Sequence, residues 1–555
     1  MTERSTTTTE GQRAAVASPR RTGAEAVVAT LAAQGIDTVF GIPGGHCIGL
    51  YDALSREPRI RHVLGRHEQG LAFMADGYAR ASGRIAAAIT TSGPGVANMA
   101  AALGGATTDT SSVLAIASTV RSELLGKNRG GLHDLNDALD IMRPVCRKVA
   151  TCHAVEQIPR TLGDLIFQLK CRRPGAVFCQ IPQDVLGAEA NVKMPGPVDH
   201  PRLEPDAAGV SRATSMLQSA QQPLIWAGTG ALVSGADAVI EQLAERLGAP
   251  VVTTSLARGL LAADHPRAVT KDGGRSTEVD VFIADADVVL AVGTMFKQED
   301  TANWGLKPGK KLIHIDVDDQ EIGRSYEADL GIVADARAAI EAILQEMPAR
   351  EQAAPSWMAR GTEAQAAALA QRRAESPQEM TVLDAFRSAV PRDAIVLCDR
   401  CNLGYWAWRC MPAYEPRSFV YPMGYGGLGG AMPQAIGAKL ADPARPVVCV
   451  IGDGGFQFTG PELIVAVQDE VPITIVLCNN NSYGAIAAAM TNSFGAAPLG
   501  CKLQNPDFQK LAAAYGVPHV RADNAKSLGE KVAAGIASNA LNIIEMTIDV
   551  SDPPG

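Results

Sequence analysis

Residues 447–484 read VVCVIGDGGFQFTGPELIVAVQDEVPITIVLCNNNSYG, and the rest of the chain is organised around them. Two short apolar runs, 447–451 and 473–478, have the length of buried strands. Between them Thr459 and Glu462 have the Thr-x-x-Glu spacing of a capping box, with Pro461 in the first turn, so a helix is expected to begin there. Two parallel strands joined through a helix make a right-handed crossover, which brings the carboxyl ends of both strands to one edge of the sheet. Asp453 and Asn480 then face one crevice.

At that edge Gly452, Gly454 and Gly455 let backbone N–H groups approach an anion, while Asp453 and Asn480 offer hard oxygen ligands. A diphosphate bridged by Mg²⁺ suits this donor set, because Mg²⁺ takes a few protein oxygens, phosphate oxygens and retained water. Read alone, Gly-Asp-Gly is equally a tight turn and the Asn run a loop.

Working outward, 555 residues are too many for one core and indicate about three domains. A net charge of −9 without a long Lys/Arg run argues against nucleic acid or an anionic membrane as partner. No apolar run reaches the roughly 18–20 residues of a membrane span. Eleven cysteines without paired spacing read as reduced thiols of a cytoplasmic protein. Cys398 and Cys401 form a lone CxxC, and a zinc site would need two more ligands.

Residues 1–21, rich in Thr, Ser, Ala and Arg, are expected to be a disordered tail. Thr22 and Glu25 form a capping box that opens a first domain over 22–190. In it, expected strands at 60–64, 85–89 and 113–117 alternate with the loops Gly-Ile-Pro-Gly-Gly (41–45) and Ser-Gly-Pro-Gly (92–95) and a helix over 68–80. A central domain over 205–347 carries expected strands at 223–227, 251–254, 288–292 and 311–317, followed by an Ala/Gln-rich linker over 348–377. A last domain, 378–555, contains the opening stretch. Strands alternating with helices indicate an α/β protein of three doubly wound domains with parallel sheets.

Gly-Asp-Gly followed, 27 positions after the aspartate, by the second Asn of an Asn run resembles the thiamine diphosphate (ThDP) motif. The loops at 41–45 and 92–95, with His-Glu-Gln-Gly (67–70) and Met-Ala-Asp-Gly-Tyr-Ala-Arg (74–80), are similar to the pyrimidine-binding domain of the acetolactate synthase superfamily. The resemblance implies a pyrimidine-binding, a central and a diphosphate-binding domain. It implies Mg²⁺ held by Asp453, Asn480 and the Ser482 carbonyl, and cofactor contacts from Gly44, Pro94, Asn98, Gly426, Leu428, Gly452, Gly454, Gly455, Tyr483 and Gly484. In that family an apolar residue at the place of Leu428 wedges between the cofactor rings; a loop Leu packed in the core is the alternative.

Glu68 matches the family's activating glutamate, whose hydrogen bond to a pyrimidine nitrogen favours the tautomer that takes the proton from the thiazolium carbon. The family places Glu68 and the metal ligands on neighbouring subunits, so a homodimer or homotetramer is implied. His133, in Leu-Gly-Lys…Leu-His-Asp, resembles the guanidino-oxopentanoate decarboxylase branch. It is either a proton relay or a loop histidine that caps a helix. Acetolactate synthases bind FAD in the central domain partly through arginines that residues 293–300 lack, so FAD is not expected. The implied reaction is decarboxylation of a 2-oxo acid, then carboligation with a carbonyl acceptor or protonation to an aldehyde. Flavin-assisted oxidation and diketone hydrolysis are the alternative chemistries, and a regulatory subunit of the same fold the non-enzyme one. The alanine run after Tyr483 favours a small or apolar acceptor over a guanidinium-bearing substrate.

Overall fold

The computed structural model describes residues 20–552, apart from 195, 198–199, 272, 274–276, 349–352 and 496. Its strands form three six-stranded parallel sheets and one two-stranded antiparallel ribbon. Nearly all of the expected tail lies outside the described residues. Its last two, Arg20 and Arg21, belong instead to a short strand, Arg20–Thr22, that pairs antiparallel with Glu189–Asn191 and ties the two ends of the first domain together. The capping box at Thr22 and Glu25 forms as expected: Thr22 Oγ1 accepts the Glu25 N–H at 3.2 Å, and the Glu25 carboxylate accepts the Thr22 N–H at 3.0 Å.

The strand pairing of the third sheet places the opening stretch as its apolar runs require. Val447–Gly452 and Thr474–Cys478 are adjacent parallel strands, with Gly452 opposite Cys478 at their carboxyl ends. The helical segment between them departs from expectation. A helix starts at once after the strand, Asp453–Thr459, continues through a 3₁₀ turn, Gly460–Glu462, and resumes as Leu463–Gln468. Thr459 and Glu462 therefore cap nothing. The Thr459 hydroxyl donates to the Gly429 carbonyl at 2.7 Å, and the Glu462 carboxylate turns to the first domain.

The first and third domains share one apolar core. Phe40, Phe73 and Met99 from one side and Ile395, Met432 and Phe456 from the other lie in the same buried cluster. Its axis is the pair of helices Glu68–Ser82 and Ala431–Ala441, which meet backbone to backbone. A Cβ at Gly77 would lie 2.0 Å from the Gln434 carbonyl oxygen, and one at Gly437 would lie 1.9 Å from that of Met74. The glycines cost helix propensity but let buried Asp76, which also holds Arg80 Nε of its own helix at 2.9 Å, receive Gln434 Nε2 at 2.6 Å.

The central domain touches both others through residues 293–304. Lys297 Nζ meets Asp109 of the first domain at 2.5 Å, and Asp109 also accepts the Gly424 N–H of the third at 3.2 Å. Burial alone would raise the Asp109 pKa, but the Lys297 and Arg80 cations outweigh it and hold it below the usual carboxylate range. Glu299 pairs with Arg400 at 3.1 Å. Much of the expected linker is a helix, Pro355–Glu375, whose Trp357 packs on Phe282 of the central domain with ring centroids 4.4 Å apart.

The helix crossing makes a specific demand. Gly77→Ala should destabilise the fold by about 1–3 kcal/mol through overpacking, whereas Gly105→Ala, on a helix where the added carbon meets nothing within 4 Å, should be neutral or stabilising. Comparing the apparent melting temperatures of the two variants checks this.

Candidate active site

The carboxyl edge of the third sheet borders a cavity of about 300 Å³. Asp453, Asn480, Ser482, Tyr483, Gly484, Gly426, Leu428, Gly452, Gly454 and Gly455 all line it, together with Arg400, Asn402 and Tyr405. Asp453 is 2% exposed; its Oδ1 accepts the Gly454 N–H at 2.9 Å and its Oδ2 accepts Asn505 Nδ2 at 2.7 Å. Burial pushes the Asp453 pKa up, against the Asn505 amide and the N–H groups of Gly454, Asn481 and Ser482. A carboxylate so desolvated gains from a cation beside it.

The Asn run has a clear division of labour. Asn479 is structural, donating to Glu545 on the neighbouring strand at 2.7 Å. Asn481 takes a left-handed conformation, φ 54°, which turns the chain back. Asn480 between them faces the cavity, and its Oδ1 accepts the Ser482 N–H at 3.1 Å. Oxygens of one carboxylate, one amide and one backbone carbonyl are the hard donors Mg²⁺ takes, with room left for phosphate and water. The absence of side chains at two positions is equally required. A Cβ at Gly454 would strike the Tyr483 ring at 2.5 Å, and one at Gly455 would strike Asp399 Oδ2 at 2.6 Å.

Asp399 and Asn505 are two site residues without a local sequence signal. Asp399, 1% exposed, accepts the Gly429 N–H at 2.6 Å and so fixes the loop that carries Leu428. Burial raises its pKa to about 6, opposed by the N–H groups of Arg400 and Gly429. Leu428 is half-buried and lines the cavity rather than lying in the core. Cys398 and Cys401 are buried free thiols, and the partner of Cys401 is Cys478, not a metal ligand set.

The remaining expected residues gather on the first domain. Asn98 Nδ2 donates to Glu68 Oε2 at 2.8 Å, and Pro94 opens the helix Pro94–Thr108 that carries Asn98. Gly44 packs on Thr91, where a Cβ would come within 2.6 Å. The His133 carbonyl lies over Gly93, and the His133 ring stands edge-on to His46 at 5.4 Å. His46 Nδ1 in turn is 2.5 Å from Ser92 Oγ, and His133 Nδ1 is buried without a hydrogen-bond partner. Burial lowers the His46 pKa, with His133 adding to the effect. His46 follows the expected glycine loop directly but escapes notice as a single histidine. None of these first-domain residues lines the cavity of the third domain.

Three models of the thiamine pyrophosphate enzymes match the chain: the N-terminal TPP binding domain over 21–141, the central domain over 210–343 and the C-terminal TPP binding domain over 399–546. A probable 2-ketoarginine decarboxylase of Pseudomonas aeruginosa is 35% identical over 95% of this chain and 94% of its own. This chain is a thiamine pyrophosphate enzyme. Other relatives are a probable acetolactate synthase large subunit of Methanocaldococcus jannaschii, 32% identical over 96% of this chain and 94% of its own, and the isozyme 3 large subunit of Escherichia coli, 30% identical over 96% and 95%. The three matched domains of the thiamine pyrophosphate enzyme coincide with the three parallel sheets. Among the described residues no helix is long and apolar enough to cross a membrane.

If Asp453 anchors the metal, Asp453→Ala should abolish Mg²⁺-dependent binding of ThDP. Calorimetric titration with and without Mg²⁺ checks this, and wild-type affinity would remove Asp453 from the ligand set.

Proposed function

We propose that this enzyme uses ThDP and Mg²⁺ to decarboxylate a small 2-oxo acid, and then either joins the product to a carbonyl acceptor or releases it as an aldehyde. The observation that carries this is the convergence of Asp453, Asn480, Ser482 and the glycines 452, 454 and 455 on one cavity that Leu428 also lines. ThDP, when bound, supplies a carbon nucleophile and an electron sink for the loss of CO₂. Asp453, Asn480 and the Ser482 carbonyl would hold Mg²⁺, and the backbone of Gly454 and Gly455 would face the diphosphate. Leu428, on the cavity wall, would pack against the cofactor.

Glu68, oriented by Asn98, would share a proton with a pyrimidine nitrogen. Because no first-domain residue lines the cavity, Glu68 is assigned to the cavity of a second copy, in a homodimer or a dimer of dimers. The exposed apolar side chain of Ile486 on the cavity wall, with Phe494 and Leu499 exposed further along the chain, supports such a cover. His133, in contact with His46, is assigned the proton relay to the product.

Substrate size and charge follow from the lining. Arg400 and Asp453 are its charged residues among those described, and the helix Gly484–Phe494 adds none. A cationic tail of the kind named for the Pseudomonas relative would find, on this chain's own lining, no carboxylate but the one assigned to the metal. This supports a neutral, small or apolar 2-oxo acid and acceptor.

The central domain is assigned no flavin. Gly228–Gly230 and Gly293 meet backbone to backbone, with the Gly230 N–H on the Gly293 carbonyl at 2.9 Å, and Lys297 and Glu299 serve as ties to the other domains. The buried cysteines 47, 146, 152, 179, 398, 401, 449, 478 and 501, held as thiols, support a cytoplasmic setting.

A panel of 2-oxo acids scored for CO₂ release, with mass spectrometry of the products, tests the reaction: neutral short-chain acids should turn over fastest and a guanidinium-bearing acid slowest. Glu68→Gln should keep ThDP bound and slow deuterium exchange at the thiazolium carbon by about 10²-fold or more. Unchanged exchange would take Glu68 out of the mechanism.

A further inference from the structure

Glu462 is a buried carboxyl group for which the chemistry above has no use. It is 1% exposed and lies nine residues beyond Asp453 on the same helical run. Its Oε1 accepts the N–H groups of His67 at 2.7 Å and Arg66 at 3.2 Å, and its Oε2 accepts that of Arg66 at 3.1 Å. Arg66 and His67 are the two residues immediately before Glu68, which opens the helix Glu68–Ser82. The helix leaves space for the carboxylate at Gly70, where a Cβ would lie 2.4 Å from the Glu462 carboxyl carbon. A second tie, Arg66 Nη2 to Gln468 Oε1 at 2.7 Å, holds the same turn to the far end of the same run.

Burying a carboxyl group is unfavourable unless its hydrogen bonds repay it. Burial in fact raises the Glu462 pKa to about 7, against the N–H groups of Arg66 and His67. What the carboxyl group secures is geometry. Two successive backbone N–H groups held by one oxygen fix the orientation of both peptide planes, and the next residue's Cα–Cβ direction follows from them.

We propose that Glu462 is a positioning residue for Glu68: it clamps the turn of Arg66 and His67 and so sets the direction in which the Glu68 side chain leaves the helix. The proposal rests on the assignment of Glu68 to the pyrimidine. Glu462 acts as a hydrogen-bond acceptor, not by exchanging a proton: the Arg66 N–H is shared with Oε2, but both N–H groups reach Oε1. A glutamine keeps that oxygen and an alanine does not. Errors of about 1 Å in such a group cost on the order of 10²-fold in rate.

The test is deuterium exchange at the thiazolium carbon of ThDP in the Mg²⁺- and ThDP-loaded full-length protein, with ThDP affinity measured alongside. Glu462→Ala should slow exchange by about 10- to 100-fold with affinity within about threefold of wild type, and Glu462→Gln should restore exchange to within about threefold. Gly70→Ala approaches the clamp from the other side: it displaces the carboxylate without removing it, favours the helix otherwise, and should slow exchange at least about fivefold. It carries the test if Glu462→Ala does not fold.

Wild-type exchange in Glu462→Ala, or in Gly70→Ala where the alanine variant does not fold, overturns the proposal. So does a glutamine variant as slow as the alanine one, which would indicate proton transfer, or a loss of ThDP affinity as large as the loss of exchange rate, which would indicate a structural role only. Glu68→Gln separates the two assignments. If it too exchanges at the wild-type rate, the assignment of Glu68 fails and the clamp with it; if it alone is slow, only the clamp fails.

Discussion

Two glycines, 77 and 437, govern how this molecule is put together. Without side chains there, the helices Glu68–Ser82 and Ala431–Ala441 approach until carbonyl oxygens occupy the space of the missing Cβ atoms. Interaxial separations are normally set by the side chains at the crossing, and here backbone sets them. The first and third domains therefore share one core instead of meeting across a polar interface. The helix that bears Glu68 is thereby set against the domain that bears Asp453. The polar contact of the crossing, Asp76 with Gln434, exists only at that separation.

Charge helps to join the central domain to this pair, beside the apolar contact of Leu256 with the third domain's core. Asp109, buried in the first domain, receives Lys297 from the second and a backbone N–H from the Gly-rich loop of the third. Such buried pairs add little net stability, because desolvation offsets most of the attraction, yet breaking one partner away is costly. Their effect is to select one relative placement of three domains. The segment that makes these ties, 293–304, bends through four left-handed non-glycine residues, Phe296, Ala302, Asn303 and Trp304. Phe296 is wedged among Trp226, His314 and Tyr326, which holds the bend in place.

The strands and the edge where Asp453 and Asn480 meet were legible in the sequence because both depend on neighbours in the chain. Apolar runs of strand length form strands, and the crossover puts Gly452 opposite Cys478, so that Asp453 and Asn480 follow at one edge. The two Thr-x-x-Glu patterns show where such reasoning stops. At Thr22 the chain enters from extended backbone and the box closes. At Thr459 it arrives from another helical turn, the hydroxyl finds Gly429, and Glu462 finds partners 395 and 396 residues away in sequence. Asp399 and Asn505 are likewise defined by what folding brings to them, Gly429 for one and Asp453 for the other. Gly77 and Gly437 read locally as weak points in helices; their purpose is visible only in the crossing.

The helix Gly484–Phe494 borders the cavity at Asp453 yet has no buried residue. Every other long helix on the third sheet is fastened by an apolar face, so replacing its residues is paid for in folding free energy. This one is not. Its side chains can be exchanged without disturbing the core of this chain, while Asp453, the Gly-rich loop and the helix crossing stay as they are. A chain built this way separates the part that must be kept from the part that can vary, and new substrate preferences can arise on the second without testing the first.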